Sequence, residues 1–319
     1  MISISHLSVR YGELLALNDL SLELDRGEVF GYIGPNGAGK STTMKVLACL
    51  LRADEGVARV DGLSVKNDPD KIRTIVGYMP DFLGVYDDLT VSEYLQFFCA
   101  AFRVERRKRA SLIDGVLELT DLTEKKHTMV SGLSRGMQQR LGVARVLVHD
   151  PKVLLLDEPA SGLDPRARIE MRSLLMELQR MGKTIIVSSH ILSELHEMCS
   201  SIGIIERGEL LFAGTTDEAI EQAGVGERIT IRLEGEAQRA AQVLREDEGV
   251  ASAEAPASDA EGEDAPHRNE VIVELVRGGR SHHFVIERLV NAGLRIEAFT
   301  PESVKLEDVF LRITKGQVQ

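Results

Sequence analysis

A glycine-rich segment, GPNGAGKS at residues 34–41, constrains the fold of this chain more than any other feature. It fits the pattern G-x-x-x-x-G-K-[ST], follows the apolar stretch 29–33 and precedes the helical pattern TTMKVLACLL. A strand, a glycine loop and a helix in this order form a cradle. In it, backbone N–H groups and the positive end of the helix meet the phosphates of a nucleotide. The segment therefore predicts an α/β fold that binds a nucleoside triphosphate.

The residue types in this segment match the parts of a nucleotide site. The glycines let the backbone approach the phosphates without Cβ clashes. Lys40 is expected to reach the terminal phosphates, and the hydroxyl of Ser41 is expected to bind Mg²⁺. The predicted ATP-binding residues of this segment are Gly34, Pro35, Asn36, Gly37, Ala38, Gly39, Lys40, Ser41 and Thr42.

Two carboxylates, Asp157 and Glu158, directly follow the apolar run VLLL at residues 153–156. Open parallel sheets bind ligands at the carboxyl ends of their strands, so we expect this pair to face the phosphate loop. Asp157 is predicted to hold Mg²⁺ through water, and Glu158 to polarise the water that attacks the terminal phosphate. The alternative is that the two acids only cap a helix.

His190 ends the next predicted strand, in the segment TIIVSSH at residues 184–190. A lone histidine is usually structural. This one becomes a candidate catalytic residue because its strand end is expected to converge on the same site as Asp157 and Glu158.

The composition of the chain narrows the classes of protein that it can belong to. A length of 319 residues suggests about two domains, and short buried strands alternating with helical stripes predict a parallel sheet in the first. The formal net charge of −12 disfavours a dedicated nucleic-acid binder. Cysteines at 49, 99 and 199 lack the spacing of a disulfide framework or a zinc site. No membrane-spanning helix and no secretory signal are expected.

The C-terminal part, residues 219–319, is predicted to form a small α+β domain. The segments RITIRL at 228–233 and EVIVELV at 270–276 alternate as strands do, and a helical pattern covers 283–294. Between the two strand patterns, residues 246–266 contain eight carboxylates and no Lys or Arg. This composition predicts a solvated, disordered insertion.

Further segments make the sequence resemble an ABC-type ATPase over residues 1 to about 218. LSRGMQQR at 133–140 resembles the family signature, usually LSGGQ, and SGLD at 161–164 resembles the loop after the catalytic glutamate. Tyr11 matches the aromatic residue that stacks on adenine, and Gly77–Asp81 takes the place of a loop that usually ends in Gln. The resemblance implies a P-loop NTPase core with a mostly parallel sheet, an antiparallel β subdomain and a helical subdomain inserted at roughly 83–150.

The resemblance also implies an arrangement of two ATPase subunits. In such ATPases two nucleotide domains meet head to tail, so Ser134 and Gly136 would contact the nucleotide on a partner, and one chain alone would hydrolyse ATP poorly. Two departures stand out. Arg135 and Met137 replace the usual Gly and Gln of the signature, and Asp81 replaces the usual Gln. We expect Asp81 to lie near Asp157 and to take part in the Mg²⁺ site; the alternative is that Asp81 points to solvent and caps the next segment.

The tail PESVKLEDVFLRIT at 301–314 resembles that of exporter ATPases that handle drugs, sodium or polysaccharide. The predicted function is the ATP-hydrolysing subunit of an ABC exporter. It would use ATP and Mg²⁺, pair with itself or a similar ATPase subunit, and act on a separately encoded membrane permease. It would lie in the cytoplasm, peripheral at the inner face of the membrane, with no nucleic-acid partner. An importer ATPase and a soluble ABC ATPase acting on ribosomes or DNA are the alternatives.

Five aromatic side chains of the predicted helical subdomain either line a docking groove for the permease or belong to the core. They are Tyr86, Tyr94, Phe97, Phe98 and Phe102.

Overall fold

The computed structural model describes residues 1–82, 84, 86, 88–189, 192, 195, 198–224, 227–255, 269–276, 282–302 and 306–314. These residues divide into two compact units: Met1–Ala219 together with Ile313 and Thr314, and Ile220–Arg312. Within this described part, no helix is both long and apolar enough to span a membrane.

The first unit contains two sheets and the helices that connect their strands. Its strands are β1 (Ile2–Tyr11), β2 (Leu14–Leu24), β3 (Val29–Ile33), β4 (Glu55–Val60), β5 (Leu63–Ser64), β6 (Val76–Met79), β7 (Val153–Asp157), β8 (Thr184–Ser189), β9 (Ser201–Glu206) and β10 (Glu209–Thr215). Its helices are α1 (Lys40–Leu47), α2 (Pro69–Ile75), α3 (Val91–Ala101), α4 (Arg106–Leu119), α5 (Arg135–Leu147) and α6 (Pro165–Arg180).

The central sheet is mostly parallel, as the sequence predicted. Among the described residues its strand order is β10-β9-β3-β8-β7-β6, and only β10 runs antiparallel to its neighbour. β3, β7 and β8 are buried along their whole length, which is why they read as continuous apolar runs. Because β8 lies between β3 and β7, the carboxyl ends of these three strands are side by side.

The second sheet of this unit is antiparallel, with the order β2-β1-β4-β5 among the described residues. Its apolar face shares one core with the central sheet and α1, in which Leu7 and Leu20 join Tyr32 and Met44. The predicted fold class, a P-loop core with a mostly parallel sheet and an antiparallel β part, is confirmed.

Helices α3 to α5 lie between β6 and β7 in the chain, the part predicted as a helical subdomain. Helix α3 begins with a capping box, in which Thr90 and Glu93 bond each other's backbone N–H. Residues 83, 85 and 87, at the start of the predicted subdomain, lie outside the described residues.

The second unit is built on an antiparallel sheet. Its chain order is β11 (Arg228–Leu233), α8 (Ala237–Arg245), β12 (Val250–Glu254), β13 (Glu270–Leu275), α9 (His283–Asn291) and β14 (Ile296–Glu302). Helix α7 (Thr216–Ala223) precedes this series, and α10 (Leu306–Ile313) follows it. The described strands follow the order β12-β13-β11-β14, and the buried side chains of β11 and β13 form the core with α8 and α9.

The prediction that the disordered insertion begins at residue 246 is wrong. Residues 246–255 belong to the folded unit, because Val250–Glu254 forms β12 and pairs with β13. Ala253 opposes Val273 there and is only 1% exposed. The sequence pattern does not predict this strand, because its residues are mostly small or acidic. Its pairing rests on backbone hydrogen bonds to β13 rather than on large apolar side chains. Residues 256–266 lie outside the described residues.

Candidate nucleotide site

The glycine-rich loop connects the end of β3 at Ile33 to the start of α1 at Lys40. Gly39 precedes the helix with φ 112°, a conformation that favours glycine. A Cβ at this position would lie 2.7 Å from Leu17 Cδ2 and 2.8 Å from Ala16 O, so a side chain has no room. The backbone therefore takes a path that only glycine allows, and it leads directly into the helix.

Lys40 is buried inside this loop. Its Nζ donates to the carbonyl oxygen of Gly34 and, at 3.2 Å, to that of Pro35, and it lies 3.8 Å from Glu158 Oε1. Burial lowers the pKa of Lys40, and the carboxylates of Glu158, Asp157 and Asp81 oppose this shift by favouring the charged ammonium. The structure thus brings Lys40 together with the three acids predicted to act at the site.

Asp157 and Glu158 stand at the carboxyl end of β7, as the sequence predicted. Asp157 is buried, and its Oδ1 accepts a hydrogen bond from Ser188 Oγ at 2.7 Å. The same Ser188 oxygen accepts the backbone N–H of Glu158 at 2.9 Å. Sequence reasoning did not single out Ser188. Only the strand order reveals the importance of Ser188, because Asp157 and Ser188 are partners in the β7–β8 ladder.

Asp81 follows β6 and Pro80 and is exposed. The charge of Asp81 acts on two groups of the site. It favours the charged ammonium of Lys40. The pKa of the Tyr78 hydroxyl is raised mainly by burial, then by the charge of Asp157, and to a smaller extent by that of Asp81. Asp81 therefore lies in the same electrostatic neighbourhood as Asp157. Direct coordination of a metal by Asp81 remains a prediction.

The oxygens at the site are of the kind that Mg²⁺ accepts. Among the described residues, no group of three or more His, Cys, Asp or Glu side chains is arranged as a metal cage. Mg²⁺ bound with a nucleotide needs only one or two protein oxygens besides phosphates and water. Ser41 in the first turn of α1 and the buried Asp157 supply such oxygens, so the residues present fit this ion.

The signature segment begins α5. Ser134 precedes the helix, is exposed, and accepts the backbone N–H of Met137 at 3.3 Å. A Cβ on Gly136 would lie 3.1 Å from Ala167 Cβ, so α5 and α6 pack closely at this point. The guanidinium of Arg135 lies over Gly162, where any Cβ would collide with it. Within one chain, the signature therefore contacts the loop that follows Glu158.

Tyr11, predicted to stack on adenine, is the last residue of β1 and is exposed. It lies close enough to Tyr78 to contribute to the raised pKa of that hydroxyl. His190 lies outside the described residues, so its catalytic role remains a prediction. Ser189, directly before it, is the partner of Ile33 in the β3–β8 ladder.

The aromatic residues proposed for a docking groove divide into two groups. Tyr94 is fully buried, and its hydroxyl lies 3.5 Å from Arg145 Nη1, so it belongs to the core. Tyr86 and Phe97 are 51% and 48% exposed, and their rings meet edge to face. Phe102 is also exposed and stacks on His149.

Comparisons with known proteins agree on one family. The family model described as ABC transporter matches residues 17–161. The Bacillus subtilis ABC transporter ATP-binding protein NatA is 34% identical over 226 residues, which cover 69% of this chain and 92% of NatA. The Nod factor export ATP-binding protein I of Ralstonia nicotianae is 37% identical, over 69% of this chain and 68% of that protein. An uncharacterized ABC transporter ATP-binding protein of Synechocystis is 39% identical, but the match spans only 58% of its length.

Solved structures lead to the same family. An ATP-binding subunit of an ABC transporter matches with a TM-score of 0.64 and 28% identity, over 70% of this chain and 93% of that one. A dimeric ATP-binding cassette in a post-hydrolysis state, bound to ADP and Pi, matches with a TM-score of 0.61 and 25% identity, over 67% of this chain and 98% of that one.

Proposed function

Because this chain belongs to the family of ABC transporter ATP-binding proteins, and is therefore an ATPase, we propose that it is the ATP-hydrolysing subunit of an exporter. The observation that carries the chemistry is the approach of Lys40 Nζ to Glu158 Oε1, 3.8 Å apart, between the phosphate loop and the end of β7. A phosphate-binding cation and a carboxylate base are thus held beside one another.

In this proposal the loop 34–41 binds the phosphates through its backbone N–H groups, and Lys40 contacts the terminal phosphate. Ser41 and Asp157 hold Mg²⁺, which neutralises charge on the phosphates when it is bound. Glu158 accepts a proton from the attacking water. The oxygen of that water forms a bond to the terminal phosphorus, and the bond from this phosphorus to the bridging oxygen of ADP breaks. His190 is proposed to contact the terminal phosphate.

Two copies, or this chain and a similar subunit, are proposed to meet head to tail. Ser134 and Gly136 would then contact the nucleotide held by the partner. Support comes from the exposed position of Ser134 at the start of α5 and from a related cassette described as dimeric. The exposed rings of Tyr86 and Phe97 are the proposed contact with a membrane permease, which would place the protein at the inner face of the membrane.

Export is favoured by the names of related proteins. They include a Nod factor export protein, a linearmycin resistance protein and a probable multidrug transporter protein. An importer remains the second candidate. Co-purification with a permease and transport by vesicles that contain both proteins would decide the direction. Release of substrate to the side opposite the ATPase supports export, and uptake toward the ATPase side contradicts it.

The Glu158→Gln variant tests the chemistry. The variant should still bind ATP, but its amide cannot accept a proton from water. Turnover should therefore fall by about a hundredfold or more. With ATP and Mg²⁺, size-exclusion chromatography should show a dimer that Lys40→Ala does not form. Hydrolysis by Glu158→Gln at the wild-type rate would show that another group is the base, and a monomer under these conditions would contradict the head-to-tail pair.

A further inference from the structure

Ser188 connects the two acids of the site through one hydroxyl group. Its side chain is 0% exposed, near the carboxyl end of β8. The hydroxyl donates its proton to Asp157 Oδ1 at 2.7 Å and accepts the backbone N–H of Glu158 at 2.9 Å. Since an ionised carboxylate only accepts and an amide only donates, both bonds have a defined direction. We propose that Ser188 is a positioning residue for hydrolysis that orients Asp157 toward the metal and Glu158 toward the attacking water.

The bond to Asp157 restricts a torsion that is otherwise loose. The terminal torsion of an aspartate is broad, so its carboxylate plane is fixed mainly by hydrogen bonds. The charge-assisted bond from Ser188 engages Oδ1. Oδ2 is then the oxygen that would accept a metal-bound water, and the plane of the carboxylate is set before the nucleotide arrives.

The bond to Glu158 acts on the backbone. Glu158 has φ 51°, in the left-handed region that residues with a Cβ seldom occupy. Ser188 holds the N–H of this residue, and Ser161 donates its own N–H to the Glu158 carbonyl at 3.1 Å. This turn carries the carboxylate to 3.8 Å from Lys40 Nζ. Without the hydroxyl, the turn loses the hydrogen bond that holds the Glu158 N–H.

A purely structural role for Ser188 would be to satisfy buried polar groups, and the experiment must separate this from positioning. Ser188→Thr and Ser188→Val introduce side chains of nearly equal size, and only the first keeps a hydroxyl. Thr184→Val is the matched control. Thr184 lies at the other end of β8, is 1% exposed, and accepts the N–H of Gly27 at 2.9 Å. It loses a buried hydroxyl on the same strand, away from the acids.

We expect Ser188→Val and Thr184→Val to lower the melting temperature to a similar extent. Only Ser188→Val should lower kcat, by about tenfold to a hundredfold, as misplacement of reacting groups does. The KM for ATP should change much less, because the phosphate loop is intact, and half-activation by Mg²⁺ should move to higher concentration. Ser188→Thr should stay close to wild type in all three. Ser188→Ala serves in place of the valine variant if the added methyl groups prevent folding.

A second measurement, the melting temperature, does not depend on turnover. It is made in the Glu158→Gln variant, and this choice rests on the proposed function. In it, Ser188→Val should reduce the rise in melting temperature produced by ATP with Mg²⁺, and leave the rise produced by ATP with EDTA unchanged. Equal kcat and equal Mg²⁺ curves for the Thr and Val variants would overturn the proposal. If Glu158→Gln itself hydrolyses ATP normally, the assigned base is wrong, and this outcome is distinct from a failure of the Ser188 comparison.

Discussion

The central sheet of the first unit and the sheet of the second unit distribute their polar side chains differently. In the first, β3, β7 and β8 are buried on both faces, and acidic side chains follow the carboxyl end of β7. In the second, β11 and β13 alternate strictly between buried and accessible residues. Their polar side chains pair across the strands, as Arg232 Nη2 does with Glu270 Oε1 at 2.8 Å and Thr230 with Glu302 at 2.6 Å.

The difference shows where reactive groups can accumulate. On the antiparallel sheet, opposite charges face one another along the strands and satisfy each other, so little is left to act on a ligand. In the parallel sheet, β3 and β8 carry no charged side chain and β7 carries one only at its last residue, so the charged groups lie where the strands end and Lys40, Asp157 and Glu158 interact. A buried charge there is more costly to isolate than an exposed one in the second unit.

The largest difference should appear when one cationic side chain in each unit is replaced by methionine. Lys40→Met removes the buried cation from the phosphate loop, and we expect ATP hydrolysis to fall by about a hundredfold or more. Arg232→Met breaks a partly exposed pair, which should cost about 1 kcal/mol or less and leave the rate within about twofold. Phosphate release and thermal unfolding measure both. A comparable loss of rate in the two variants would show that the second unit takes part in the chemistry.

Core substitutions should separate stability from activity. Ile231 on β11 is fully buried, and Ile231→Ala should destabilise the second unit by about 2–5 kcal/mol. Its effect on kcat at 20 °C should be small if each unit folds on its own core. Ile186→Ala on the buried β8, the matched change, should lower both stability and rate. Differential scanning calorimetry of the two variants tests this, and loss of hydrolysis by Ile231→Ala at a temperature where it is folded would contradict it.

The parts that the sequence predicted correctly are contiguous in the chain. The phosphate loop, the strand before it and the acids after VLLL are each short patterns whose chemistry does not depend on distant residues. The parts that it missed depend on partners. Ser188 becomes important only because β8 lies beside β7, and β12 is a strand only because β13 offers it backbone partners. No local pattern reports either fact.

The role of Asp81 should appear as an intermediate effect. Asp81→Asn removes a charge that acts on Lys40 and on the Tyr78 hydroxyl, close to Asp157. We expect half-activation by Mg²⁺ to shift several-fold to higher concentration, with a smaller change in ATP affinity, because a bound cation offsets the charge of nearby carboxylates. Asp81→Gln, which restores the residue usual in the family, should retain activity. Superimposable Mg²⁺ curves for Asp81→Asn and wild type would leave Asp81 a turn residue outside the metal environment.

The smallest effect is expected from a deletion in the acidic segment of the second unit. Removing residues 256–266 with a short Gly-Ser replacement should change neither hydrolysis nor melting temperature measurably, since its composition offers little apolar surface to bury. Removing 246–266 is the matched control. It also takes away β12 and the buried Ala253, so it should destabilise the second unit by about 2 kcal/mol or more. Two thermal unfolding curves decide the matter. If the shorter deletion is as damaging as the longer one, the residues after β12 contribute to the stability of the second unit despite their acidic composition.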